Sequence, residues 1–336
     1  MTPLVVIDAD VLGRRRTGDE TYVAGLLGAL PAVAEGLRLA ALTRRPDLVP
    51  RGIEPVELPA RFQELRMAVA VPRVLRRLRP DLVHFVHALP PRLPCPAVLT
   101  IQDLSFERDR SLMGWRETTI FRLVVPRSAR RANRVLAISE RTKQDVVSLY
   151  GLAPDRVVVT PLAPDGDFSP GGAPDSYLLF VGAIERRKNP LAAAAAARDL
   201  GMPLVIVGPA RDERLAGELR REGAELRGFV TKEELVGLYR GAACLLFPSR
   251  YEGFGLPVLE AMASGTPVVA APDAAVREVA GDAARYAEPE KLAEAVSAVL
   301  ADREQWARAG LERADGFSWE ETARRTVEVY RKVLAA

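Results

Sequence analysis

The amino-acid sequence predicts an α/β protein with two Rossmann-like, doubly wound parallel-sheet domains facing a central cleft. Three observations predict it. Short apolar runs alternate with helix-period segments along most of the chain, the pattern of parallel strands covered on both faces. The alternation breaks at Ala163–Ser176, where A-P-D-G-D-F-S-P-G-G-A-P-D-S has no periodicity and reads as a linker. The length, 336 residues, suits two domains better than one. The division expected is residues 1–168, residues 169–318 and a C-terminal helix over residues 319–336.

Composition narrows the class. Apolar and charged fractions of 48% and 27% are ordinary for a soluble globular chain. No apolar run has membrane-spanning length, and Met1–Asp8 does not read as a signal peptide. Cys95 and Cys244 lie far apart without metal-ligand spacing, so no structural disulfide and a cytoplasmic location are expected. His84 and His87 are too few for a multi-histidine metal site. Residues 1–150 carry 24 Lys and Arg against 16 Asp and Glu, and the remainder 23 against 28. A basic first half suits an anionic partner, including peripheral contact with the inner membrane face; an arginine-rich genome would give the same bias. Arg127, Arg130, Arg131 and Arg134 have no interleaved aromatic residues, so nucleic acid is not an expected partner.

Leu4–Ile7 reads as the first buried strand and ends in Asp8-Ala9-Asp10. An Asp-x-Asp pair can ligate a divalent metal, but no third ligand is in view and no metal is expected. Gly13–Glu20 is a glycine loop without the Gly-Lys-Ser/Thr of a Walker A motif. Thr17 or Asp19 can cap the following helix, in which Tyr22, Val23, Leu26, Leu27 and Leu30 recur at helical spacing. Strands follow at Leu37–Leu42, Leu82–Val86, Ala97–Ile101, Val135–Ile138 and Val157–Thr160. The helices between them are Gln63–Leu78, kinked or split at Pro72, Trp115–Arg131, and a Ser139-capped helix that Gly151 stops after Tyr150. The second series has strands at Tyr177–Val181, Leu204–Val207, Leu226–Phe229, Cys244–Phe247 and Val268–Ala270. Its helices are Pro190–Leu200, Ala210–Arg221, Lys232–Arg240, Glu290–Ala301, Arg303–Ala309 and Trp319–Leu334.

Phe247–Ala271 is the most informative stretch. Pro257 suits the first position of a short helix and Gly265 the residue after its last turn. Val258, Leu259, Ala261, Met262 and Ala263 make that helix apolar nearly all round, so Glu260, its only charge, needs donors. Gly253, Phe254, Gly255 and Leu256 precede it, where free N–H groups favour an anion, and Glu252 lies in the same loop. Glu185-Arg186-Arg187-Lys188-Asn189-Pro190 places three cations before a helix that Asn189 can cap, where a bound phosphate would relieve the unfavourable charge. A solvated basic turn is the plain alternative. Gly208 and the Gly228-Phe229-Val230 run end strands and can line a base pocket, or simply turn. Gln102 and Asp103 end a buried strand and can meet sugar hydroxyls; Asp103 can equally cap a turn. His84 and His87 lie on or past a strand, one of them in the core or at the cleft.

These motifs resemble a known family. Y-E-G-F-G-L-P-V-L-E-A-M-A-S-G-T-P-V-V, with V-G-A-I-E-R-R-K-N-P, T-G-D-E-T-Y, T-I-Q-D-L-S-F and I-S-E-R-T-K-Q-D, looks like the retaining glycosyltransferases of family four, the group 1 glycosyl transferases, over nearly the whole chain. The resemblance implies a GT-B architecture, with donor held by the second domain, acceptor by the first, and a C-terminal helix crossing back. It implies that Arg187 and Lys188 meet the donor pyrophosphate, that Glu260 accepts from ribose hydroxyls, and that Glu252 lies by the transferred sugar. Gly253–Leu256 and Gly18 would approach the sugar and phosphates. Thr17, Asp19 and Asp103 are expected on the acceptor side, and Gln102, Gly208 and Val230 on the donor. Two positions depart from the pattern. Ala183 follows Gly182 where the family often has Arg, and Gln102 replaces its usual histidine. The expectation is metal-independent hexosyl transfer, mannosyl first, from a nucleotide diphosphate sugar to a glycan or lipid-linked acceptor. GDP-mannose is the first donor expected and a UDP-sugar the second. The alternatives are a GT-B epimerase or a degenerate GT-B protein that binds without transfer.

Overall fold

The strands of this chain are short, mostly apolar and paired in parallel. The computed structural model describes residues 2–14, 17–58, 66–108, 115–172 and 176–336, and it separates into two compact units. Arg15, Arg16, residues 63–65 at the start of an expected helix and linker residues 173–175 lie outside the described residues.

Unit 1 comprises Met1–Leu162 and Ser318–Ala336. Its strands are β1 (Leu4–Asp8), β2 (Arg38–Thr43), β3 (Glu54–Glu57), β4 (Leu82–Val86), β5 (Ala97–Ile101), β6 (Arg134–Ala137) and β7 (Val157–Val159), in the order β3-β2-β1-β4-β5-β6-β7. Its helices are α1 (Thr17–Val33), α2 (Val71–Leu78), α3 (Ser105–Arg108), α4 (Trp115–Arg131) and α5 (Glu140–Tyr150). A π-helical turn, Arg66–Ala70, leads into α2, and Pro72 sits in that helix's first turn, where its missing N–H costs nothing. Ser139 caps α5 by accepting from Thr142 N, and left-handed Gly151 ends it. Leu75, Phe85, Leu99, Phe106, Val125 and Ala129 share one core cluster.

The C-terminal helix α13 (Trp319–Leu334) belongs to unit 1 and packs along α1. Gly25 makes the close approach possible, since a Cβ there would run into the Trp319 ring. Deeper in, His84 Nδ1 meets Tyr330 Oη at 2.6 Å and His84 Nε2 meets Thr100 Oγ1 at 2.7 Å, with Tyr22 Oη 2.8 Å from the same Thr100 oxygen. Burial pushes the His84 pKa down to about 3, so this imidazole is a neutral tie between sheet and helix.

Unit 2, Ala163–Phe317, has β8 (Leu178–Val181), β9 (Leu204–Val207), β10 (Glu225–Gly228), β11 (Cys244–Phe247), β12 (Val268–Ala270) and β13 (Arg285–Tyr286), in the order β10-β9-β8-β11-β12-β13. Its helices are α6 (Pro190–Leu200), α7 (Glu213–Arg221), α8 (Lys232–Gly241), α9 (Leu256–Ala263), α10 (Ala274–Ala280), α11 (Leu292–Ala301) and α12 (Arg303–Asp315). Thr231 and Glu234 form a capping box on α8. Asn189 does not cap α6 with its side chain as expected; it takes a left-handed backbone at the junction between a 3₁₀ turn, Arg186–Lys188, and the helix.

In both sheets the chain fans out in opposite directions from one gap: between β1 and β4 in unit 1, and between β8 and β11 in unit 2. Ligands of open parallel sheets bind at the strand carboxyl ends beside such a gap.

Candidate active site

The gap in unit 2 gathers the residues that the sequence singled out. The turn after β8 carries Arg187 and Lys188; the loop after β11 carries Glu252. Arg250 N donates to Arg187 O at 2.9 Å and joins the two loops. Lys188 Nζ donates to Glu252 Oε1 at 2.5 Å, and Arg187 Nη1 lies 3.6 Å from Glu252 Oε2. Arg187 Nη2 donates to Glu185 Oε1 at 2.6 Å, while Arg211 reaches Glu185 Oε2 at 3.4 Å. The Lys188 ammonium also sits 5.4 Å from the Phe247 ring centroid. Burial would raise the pKa of Glu252, but Lys188 and Arg187 outweigh it and hold the carboxyl below its ordinary range. The two cations are thus preorganised and already facing an anion.

Glu260 has a different environment. It is buried on α9, and Tyr239 Oη on α8 donates to its Oε2 at 2.8 Å. Burial is the larger influence and raises its pKa to about 7 despite that hydrogen bond. The Tyr239 phenol is pushed up in turn by burial and by the neighbouring carboxylate. Tyr239 is fixed by Phe168, edge-on at 5.7 Å, and by Thr266 Oγ1, which donates to its carbonyl. Gly255, left-handed at φ 105°, leads into α9, which begins with no side-chain cap. Phe254 is buried edge-on to Phe317 at 6.1 Å. An uncapped helix start beside paired cations can receive a phosphate.

Gly208 closes the sheet edge. A Cβ at this residue would collide with Gly182 O, so only glycine lets β8 and β9 end this close together. Its N–H donates to Gly228 O at 2.8 Å. Val230 follows, half-buried, just before the Thr231 cap, next to an exposed Phe229. A separate cavity of about 180 Å³, lined by Arg186, Asn189, Arg214 and Arg250 among others, lies on the flank of the same turn.

The gap in unit 1 is arranged otherwise. Gly18 is in the first turn of α1 rather than in a loop, 3.6 Å from Gln102 Oε1 measured from where a Cβ would stand. Gln102 is buried with its Nε2 unpartnered among the described residues, while its backbone carbonyl accepts from Thr142 Oγ1. Asp19, expected as a possible cap, lies inside α1 and meets His87 Nε2 at 3.0 Å; His87 has a left-handed backbone, φ 62°. Thr17 is the first residue of α1. Asp103, expected on the acceptor side, is committed to a turn: its Oδ1 accepts from both Ser105 N and Ser105 Oγ at the start of α3. Asp8 and Asp10 are taken by arginines. Arg66 forks onto Asp8 at 2.7 and 3.1 Å, and Arg66, Arg44 and Arg14 converge on Asp10.

Sequence reasoning missed Tyr239, Glu185 and Arg211 as members of the unit 2 site. Glu185 lay in the quoted basic motif, but its acid partnership with two arginines needed the fold. Tyr239 carries no local signal; it meets Glu260 only when α8 packs on α9.

Comparison with known proteins agrees with this geometry. The Glycosyltransferase Family 4 model matches residues 16–166, and the Glycosyl transferases group 1 model matches residues 175–302. The O-antigen chain mannosyltransferase B of Escherichia coli is 32% identical over 232 residues, 60% of this chain and 61% of that protein. The chain thus aligns with about three fifths of such a relative's length. Among solved structures, sucrose-phosphate synthase from Thermosynechococcus elongatus superposes with a TM-score of 0.81 at 18% identity, covering 99% of each chain. Anabaena HepE in complex with UDP-glucose gives 0.74 at 14% identity over 98% of this chain and 99% of that one. With one model matching within each unit, and each parallel-sheet unit matching structures of the GT-B fold, the chain belongs to the glycosyltransferases of family 4.

Proposed function

We propose that this protein transfers a hexosyl group from a nucleotide diphosphate sugar to a carbohydrate or lipid-linked acceptor, with retention at the anomeric carbon. The observation that carries the proposal is the cation pair Arg187–Lys188 held at the gap of unit 2 beside Glu252 and the start of α9. When the bond from the sugar anomeric carbon to the diphosphate breaks, negative charge grows on the leaving oxygen. Arg187, Lys188 and the first turn of α9 stabilise it, and Glu252 exchanges its hold on Lys188 for the sugar. Preorganised donors of this kind are often the largest catalytic term. The acceptor oxygen bonds to the anomeric carbon from the face the phosphate leaves, and its proton passes to the departing phosphate oxygen. In this scheme the positive charge comes from side chains, without a required metal. Glu260 accepts from the ribose hydroxyls, and Gly208 and Val230 border the base.

A mannosyl donor comes first, supported by the mannosyltransferase among the relatives and by the Glu-x-Arg-Lys-Asn turn; GDP-mannose is the corresponding nucleotide. A UDP-sugar comes second, supported by the fold likeness to HepE with UDP-glucose. Gln102 favours one competing function, binding without transfer, because its neutral amide replaces a histidine. The test is a thermal-shift panel of nucleotide diphosphate sugars, followed by product analysis with and without saccharide acceptors. A stabilising donor that yields product only with acceptor supports transfer. Conversion without acceptor would mean an epimerase, and binding without any product a degenerate binder.

A further inference from the structure

Helix α4 leaves a face of unit 1 that the proposed chemistry does not use. Its inward side is core: Val125 and Ala129 are buried and Phe121 packs against them. Its outward side has two halves. Ile120, Leu123 and Val124, at helical spacing, are 57%, 50% and 38% exposed. One turn further on, Arg127, Arg130 and Arg131 are exposed, and Arg134 follows on β6. Arg156 joins them by donating to the carbonyls of Arg130 and Ala132.

These five arginines contact carbonyl oxygens and, among the described residues, no carboxylate. Arg127 reaches Leu123 O, Arg130 reaches Tyr150 O, Arg131 reaches Pro90 O and Pro91 O, and Arg134 reaches Asn133 O. Of the acids around α4, Glu107 is engaged with Arg122 and Asp145 with Arg108 and Arg141, while Asp155, next to Arg156, is exposed and offsets one of the five charges. A carbonyl satisfies an N–H without cancelling its charge, so the end of α4 keeps a concentrated positive field beside an apolar stripe.

We infer that this face of α4 docks on an anionic lipid surface. Apolar side chains enter the headgroup boundary while arginines meet the phosphates, the two signals that together give stable peripheral binding. A second copy of the chain is a poor occupant, because a two-fold contact would bring two such arginine clusters together. Among the described residues no helix is long and apolar enough to cross a membrane. The strands run parallel, so α4 begins at the carboxyl edge of the sheet, where Gln102 and Asp19 lie, and ends at the other edge. Docking by the apolar half brings that carboxyl edge near the lipid. The inference rests on α4 with the adjoining Arg134 and Arg156, and it favours the lipid-linked form of the acceptor proposed above.

The test is co-sedimentation of the full chain with vesicles of phosphatidylcholine alone or with phosphatidylglycerol. Binding is expected to the anionic vesicles at low salt and to fall as salt rises. Ile120→Ser with Leu123→Ser weakens it by about tenfold per residue, and Arg127→Glu with Arg134→Glu by at least about fivefold per residue. Nucleotide-sugar thermal shifts stay unchanged in both variants, which separates this surface from the donor site. Absence of binding to anionic vesicles at low salt overturns the inference, as does binding that both variants retain. Self-association lost in the serine variant, without vesicle binding, would show that a second copy covers the stripe.

Discussion

The two units carry similar charge clusters at equivalent gaps, yet they use carboxylates differently. In unit 1, Asp8 and Asp10 end β1 and are saturated by guanidinium groups, with Arg66 bridging both. In unit 2, Glu252 is shared by a lysine and an arginine on a short 3₁₀ turn, and Glu260 has one phenol for company. A carboxylate surrounded by forks is a structural brace. One that is buried with a single donor, as Glu260 is, has acceptor capacity left over. The difference separates scaffold from binding site more sharply than charge or burial alone.

Substitutions put that contrast to the test. The largest effect is expected in unit 1. Arg66→Ala strands Asp8 in a buried setting, while Asp10 keeps Arg44 and Arg14, and costs about 3–5 kcal/mol of stability, read as a fall in denaturant midpoint. Donor affinity of the folded fraction should be unaltered; a donor defect with intact stability would reverse the roles of the two clusters. In unit 2, Arg187→Ala should leave the fold intact and lower turnover at saturating donor by roughly 10²–10³. Unchanged turnover in this variant would remove Arg187 from the chemistry. Glu260→Ala should weaken nucleotide binding by about tenfold to a hundredfold, the range for hydrogen bonds to a charged group. Calorimetric titration measures it, and wild-type affinity would detach Glu260 from the ribose.

The smallest effect is on pH dependence. The Glu260 carboxyl has its pKa raised from 4.5 to about 7, so the folded protein holds a proton that the unfolded chain releases. Its contribution to stability is present at low pH and is lost as pH rises through about 7. Ribose hydroxyls need the charged form, so donor binding expels that proton. Affinity for the nucleotide sugar, whose diphosphate does not titrate here, should rise about tenfold from about pH 6 to about pH 8. Glu260→Gln should flatten the slope, and an equal slope in that variant would assign it to another group.

Much of the fold was legible because buried parallel strands announce themselves. Leu4–Asp8, Ala97–Ile101 and Cys244–Phe247 are continuous apolar runs closed by turn residues, and Ser139 and Gly151 mark α5 at both ends. The missed elements are those whose local signal is weak. In β3, E-P-V-E, only Val56 is buried, and the strand holds its place at the sheet edge by pairing with β2. β13 is two residues long, and α10, at seven, is too short to show a period. Within the site, Arg187, Lys188 and Glu252 were legible as motifs. Their mutual pairing was not, since it joins loops 64 residues apart. Asp103 shows the reverse: a polar residue at a promising strand end is engaged by the turn two residues on.

The return of α13 to unit 1 bears on how the chain is born. Unit 2 is one continuous segment, Ala163–Phe317, whereas unit 1 is interrupted by it and completed by Ser318–Ala336. A ribosome therefore delivers all of unit 2 before it delivers Tyr330, the hydroxyl that His84 awaits in the core of unit 1. The usual order, in which the earlier domain finishes folding first, is inverted here. During synthesis the earlier part of unit 1 waits with its α1 groove open until α13 leaves the tunnel and closes it.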